Sequence, residues 1–139
     1  MRMISLCLLI LCLPMMLFAI CCSAESDGIK TGLGEEFVLA VGQSATIDGE
    51  GLTIRFIEVT EDSRCPEGVE CVWEGRVTCL VDIIYSDSTY RQELTQPGLS
   101  SPSVLEFQGF EIMFDIQPYP TFGKEIQTDE YRLVLTINR

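Results

Sequence analysis

From Phe37 to the C-terminus the chain is a succession of short apolar runs, each cut off by Gly, Pro, Asp or Ser. This punctuation constrains the fold more than any other feature. Phe37–Val41 stops at Gly42. Ala45–Ile47 leads through Asp48-Gly49-Glu50-Gly51 into Leu52–Val59, and Asp-Gly between two apolar segments is a strong hairpin signal. Leu52, Ile54 and Phe56 alternate with Thr53 and Arg55, and the phase then breaks at Ile57, which predicts a bulge or a strand buried on both faces. Val72–Tyr85 reads as the longest strand, with Gly75 as a kink. Thr89–Thr95, Val104–Phe107, Phe110–Ile116 and Tyr131–Ile137 complete the set, and Gln96 to Ser103 reads as a loop. No window carries a helical stripe beyond two turns. Some seven to eight short strands separated by turn signals predict an all-β fold, an antiparallel β-sandwich (immunoglobulin-like) or a small barrel. Phe37, Leu39, Ile54, Phe56, Cys79, Val81, Ile83, Phe107, Ile112, Phe114, Leu133 and Leu135 are the expected core. Pro118 and Pro120 lack amide donors and would end pairing after Ile116; Tyr119-Pro120 is a candidate cis bond.

The N-terminus is of another kind. Met1-Arg2-Met3 gives a positive start. Ile4 to Cys22 is almost wholly apolar, and Cys22-Ser23-Ala24 offers a small-x-small cleavage pattern. The expected organisation is a signal peptide over 1–24, a flexible tether over 25–36 and one domain over 37–139. Lipid attachment at Cys21 or Cys22 and a retained membrane anchor are the alternatives. All three put the domain outside the cytoplasm, secreted or anchored at the cell surface, where disulfides persist.

Charge narrows the function classes. The 139 residues hold nine Lys or Arg, 21 Asp or Glu and no His. Arg2 is the leader's one base and the leader has no acid, so eight bases face 21 acids beyond it, a net charge of −13. Such a surface repels phosphate backbones and anionic lipid, so no nucleic acid is expected, and membrane contact only through the leader or a lipid anchor. Without His, Ser-His-Asp and Cys-His catalysis and imidazole zinc sites drop out.

Of the seven Cys, only Cys65, Cys71 and Cys79 lie beyond the leader. Cys65 and Cys71 bracket the turn-forming Pro66-Glu67-Gly68-Val69-Glu70. In one extended strand Cys71 and Cys79 would stand roughly 26 Å apart, far beyond disulfide reach. The expected bond is therefore Cys65–Cys71. It closes a ring worth about 2 kcal/mol in the loop-entropy account. Cys79 shares the phase of Val77, Val81 and Ile83 and is expected free and buried.

The densest stretch, Asp62-Ser63-Arg64-Cys65-Pro66 through Cys71-Val72-Trp73-Glu74-Gly75, resembles the Asp-Ser-Arg-Cys-Pro … Cys-Val-Trp-x-Gly signature of small exported bacterial and archaeal domains, often with lipoprotein-like leaders. The likeness extends to Val41-Gly42-Gln43-Ser44-Ala45, to Pro118-Tyr119-Pro120 and to the terminal Tyr131–Ile137 segment, and so covers most of residues 37–137. The resemblance implies an extracytoplasmic, mainly β domain with a pinned loop. It carries over no activity.

Within that loop Asp62, Arg64, Glu67 and Trp73 are the candidate binding residues. A bland reading gives each a packing role: Asp62 in an Asx turn, Arg64 paired with Asp62 or a nearby Glu, Trp73 lying on the disulfide. The functional reading is a non-catalytic binding or structural module that recognises an envelope or extracellular protein, since Arg and Trp recur as hot spots on rigid loops. An inhibitor-like version would present Arg64-Cys65-Pro66 to a protease and needs Arg64 to point outward. Asp48, Glu50, Glu61 and Asp62 are weak calcium candidates, acidic but without an Asp-x-Asp-x-Asp-Gly loop. A carboxylate-pair hydrolase is the enzymatic alternative. No catalytic residue and no cofactor is assigned.

Overall fold

The computed structural model describes residues 28–98 and 102–139; the leader, with its cleavage and lipidation alternatives, lies outside the described residues. Nine strands are present among them: β1 (Ile29–Thr31), β2 (Glu36–Ala40), β3 (Ser44–Ile47), β4 (Leu52–Asp62), β5 (Arg76–Tyr85), β6 (Ser88–Pro97), β7 (Ser103–Phe107), β8 (Phe110–Gln117) and β9 (Arg132–Asn138). They form two open sheets, ordered β1-β3-β4-β5-β6 and β2-β9-β8-β7. The all-β expectation holds, as a sandwich and not a closed barrel.

The alternation in the sequence becomes the two faces of each strand. All twelve expected core residues are buried, joined by Ile47, Leu52, Phe110, Ile116 and Ile137 among others. Tyr85 meets Phe107 and Phe110 edge-on, with ring centres 6.3 and 5.6 Å apart. The Asp48–Gly51 turn joins β3 to β4, and Ile47 sits opposite Leu52. The bulge falls where the phase broke: the β4–β5 register shifts between Phe56 and Glu58, and again between Val59 and Glu61.

Three expectations are corrected. Residues 25–36 are not wholly a tether, because Ile29–Thr31 pairs in parallel with Ala45–Ile47, and Glu36 opens β2. A three-residue strand carries no readable period, and its pairing is set by a partner distant in sequence. The long strand starts at Arg76 and not at Val72, because Gly75 has φ +69° and turns the chain out of the ladder. The cis bond is Gln117-Pro118 and not Tyr119-Pro120.

Cys79 is free and fully buried, and burial pushes its thiol up to about 12. Alkylation of the folded chain is expected to leave Cys79 unmodified, and denaturant to expose it, as read by peptide mass mapping. Labelling of folded protein as fast as a free thiol would contradict the packing.

Candidate functional site

The β4–β5 connection, residues 63–75, rises from one end of the sandwich. Its neck continues the β4–β5 ladder: the Ser63 amide donates to the Arg76 carbonyl (2.8 Å) and the Cys65 amide to the Glu74 carbonyl (2.9 Å). The backbone is so crowded here, between the two sides of the neck and between the neck and the end of β6, that only glycine fits at two points. A Cβ on Gly75 would lie 1.9 Å from the Ser63 carbonyl oxygen, and one on Gly98 would lie 2.1 Å from that of Glu74. Gly98 ties β6 to the neck by donating its amide to Gly75 (3.0 Å). Above it Cys65 and Cys71 are bonded, with Cα atoms 5.9 Å apart. Beyond the bond the Glu67 backbone docks on the β8–β9 connection: its amide donates to Pro120 (2.9 Å), and its carbonyl accepts from Phe122 (3.4 Å).

Arg64 runs into the protein and not outward. It is 4 % exposed. Its Nε and Nη2 donate to the two carboxylate oxygens of Asp62 (2.9 and 2.6 Å), a bidentate ion pair. Nη1 donates to the carbonyl of Ile116 (2.7 Å) and Nη2 also to that of Pro118 (2.9 Å). The guanidinium lies 5.1 Å from the Tyr119 ring centre. Asp62 additionally accepts the Arg64 backbone amide (3.3 Å) and the Tyr131 hydroxyl (3.1 Å). The expected Asx turn is present, and of Asp62 and the nearby Glu residues it is Asp62 that pairs with Arg64. The outward Arg64 that an inhibitor would need is not: burial and five side-chain hydrogen-bond and ring contacts hold it inside.

The reason for this arrangement lies at Ile116. The β7–β8 pairing ends at Ser103 opposite Phe114, so β8 continues past its last β7 partner. Side chains from the β4–β5 connection and from β6 take that place. Arg64 supplies a donor for the Ile116 carbonyl, and Gln96 Oε1 accepts its amide (2.8 Å). Gln96 also donates to Asp115 (2.7 Å) and is itself 3 % exposed. These two side chains satisfy buried backbone groups and join the sheets at the same residue. Gln96 and Tyr131 escaped the sequence reading. Gln96 lies in phase with Leu94, inward, and that phase was the available signal. Tyr131 stands only at the edge of its strand run and gave none for a polar role.

The other candidates are placed as follows. Trp73 does not lie on the disulfide. It is 83 % exposed, beside a fully exposed Val72. Phe122, on the segment that docks against Glu67, is 73 % exposed. Trp73 lines an open groove of ≈ 660 Å³ with Glu61, Ser63, Glu74, Gly75 and Arg76. The side chain of Glu67 faces solvent while its backbone anchors the loop. The calcium candidates do not come together. Asp48 and Glu50 lie on the turn before β4, and Glu61 and Asp62 at its far end. Three already have cationic partners: Glu50 with Arg139, Glu61 with Arg76 and Asp62 with Arg64. Among the described residues no three His, Cys, Asp or Glu gather as a metal set. The chain matches no family model, no curated protein and no solved structure with which it was compared.

Two outcomes follow from this geometry. Gly75→Ala forces a left-handed backbone and a clash with Ser63, so a loss of about 2 kcal/mol or more is expected in urea unfolding; a neutral substitution would contradict the close neck. Burial, with the Asp62 charge second, pushes the Tyr131 hydroxyl from 10 up to about 12. An unfolded chain releases that proton near 10 and the folded chain holds it, so stability present below pH 10 is lost as pH rises from 10 towards 12. Tyr131→Phe is expected to flatten that part of the stability profile, and an unchanged slope would contradict the assignment.

Proposed function

We propose that the protein is an extracytoplasmic, non-catalytic binding module whose contact surface is the outer side of the stapled loop. The observation that carries this reading is the exposure of Val72 and Trp73 on a segment fixed at both ends. A large aromatic side chain left in water gains nothing for the fold, yet on a preorganised loop it offers contact area at little entropic cost. Trp is among the most frequent hot-spot residues of protein interfaces. Glu67, Glu70 and Glu74 surround it in the sequence and are all exposed, which favours a partner with a basic rim. Arg64 serves from beneath, holding the loop on the sandwich, and is a positioning residue for Trp73. The Cys65–Cys71 bond is compatible with an oxidising compartment, and the apolar leader and the resemblance to exported domains support placement outside the cytoplasm.

The test compares wild type with Trp73→Ala in pull-downs from the cell envelope. Because the indole is exposed, the substitution is expected to change stability by less than about 0.5 kcal/mol while removing the partner that wild type retains. Trp73 is the chain's single tryptophan, so partner binding should also shift its emission to the blue. Equal recovery of every partner by both proteins would contradict the proposal.

A further inference from the structure

Four strands edge the two sheets, and one differs from the rest. β1 has three residues, β2 and β7 five each, and β6 has ten. β6 pairs with β5 over ten consecutive residues without a register shift, and its only Pro is the last residue, Pro97. A long, unbulged edge is a template for another strand, and proteins ordinarily break such edges up.

The hairpin turn determines which backbone groups β6 offers. Ser86 and Asp87 form a two-residue turn with φ +50° and +61°, the type I′ geometry, and Tyr85 sits opposite Ser88. Such a turn makes its flanking residues a hydrogen-bonded pair, so Ser88, Tyr90, Gln92, Leu94 and Gln96 direct their backbone groups towards β5. Thr89, Arg91, Glu93 and Thr95 direct theirs to the open side, and all four are exposed. The strand is also self-complementary about Gln92. Turned antiparallel on itself there, it sets Arg91 opposite Glu93, Thr89 opposite Thr95 and Tyr90 opposite Leu94. All four outward residues of each copy then find partners, and Pro97 falls just outside. Shifting the axis by one residue puts Arg91 opposite Arg91, or Glu93 opposite Glu93.

We propose that β6 is the site of a two-fold homodimer, in which a second copy of this chain adds its own β6 antiparallel across Gln92 to make one continuous ten-stranded sheet. The interface is isologous, with two Arg91–Glu93 pairs and four outward residues from each copy. Arg91 already pairs with Asp82 of its own chain (2.8 Å), so Glu93 of the second copy extends that pair into a cross-chain network. The dimer does not depend on the loop-binding reading, since β6 contributes no residue to the stapled loop.

The test is cross-linking of the full-length chain. Gln92 faces its own copy as a non-hydrogen-bonded pair, whose Cα separation of about 4.5 Å suits a disulfide. Under copper–phenanthroline oxidation Gln92→Cys is expected to give a covalent dimer. Mass spectrometry of non-reduced peptides distinguishes this link from any through Cys65, Cys71 or the leader. Thr89→Cys is the control: its two copies would lie about 20 Å apart, six residues along the ladder, and should not link. Adding Glu93→Arg to Gln92→Cys turns two attractive pairs repulsive and is expected to slow linking roughly tenfold. Adding Arg91→Glu as well should restore it, with burial of Cys79 against alkylation confirming that each variant is folded. Linking of Gln92→Cys no faster than Thr89→Cys, or a rate unmoved by Glu93→Arg, would overturn the proposal.

Discussion

A guanidinium taken out of water must find a counter-charge and acceptors for its donors, and this requirement organises one end of the sandwich. Arg64 meets it with the Asp62 carboxylate and the carbonyls of Ile116 and Pro118. Because Asp62 ends a strand of one sheet and Ile116 lies in a strand of the other, satisfying the charge also joins the sheets. The same charge determines where the loop leaves the body. Arg64 lies one residue before Cys65, so the disulfide ring grows directly from a buried anchor. Such a buried pair need not stabilise more than well-packed apolar residues would, but removing one partner leaves the other charge stranded. It makes the geometry of the loop's origin specific.

Local and tertiary restraints on the loop then add. A short ring alone contributes about 2 kcal/mol and would leave the segment free to swing. The glycine-tight neck at Gly75 and Gly98, together with the Glu67 contacts to Pro120 and Phe122, removes that freedom. What remains on the outside, Val72 and Trp73, does not serve the core. Within one motif Arg64 is buried and holds the loop, while Trp73 stands in solvent.

The fold was legible because a sandwich strand writes its two faces into alternate residues. Leu52, Ile54 and Phe56 announced β4 and its inner face, and of the two readings that the lost phase at Ile57 allowed, a bulge or a strand buried on both faces, the bulge is the one present. Elements specified by distant partners were not legible. Ile29–Thr31 becomes a strand only because β3 accepts it in parallel. Val72–Gly75 has strand-forming residues, yet Gly75 packs on Ser63 across the neck and takes the segment out of the ladder. At the site, the Cys65–Cys71 bond and the Asp62–Arg64 pair follow from proximity in the chain. The direction of each side chain does not. Arg64 is drawn inward by carbonyls more than fifty residues away, 52 and 54 positions on. Trp73 stays in water. Gln96 completes the same junction and shows only as a polar residue in an inward phase.

A double-mutant cycle on Asp62→Ala and Arg64→Ala, followed by urea unfolding, probes the Asp62–Arg64 junction itself. Each single variant is expected to lose about 3–5 kcal/mol, as for a buried pair broken on one side. The double variant is expected to fall short of the sum by more than about 1 kcal/mol, because the two act as one unit. Losses near zero for Arg64→Ala, of the size expected for an exposed side chain, or strictly additive effects, would contradict the buried junction.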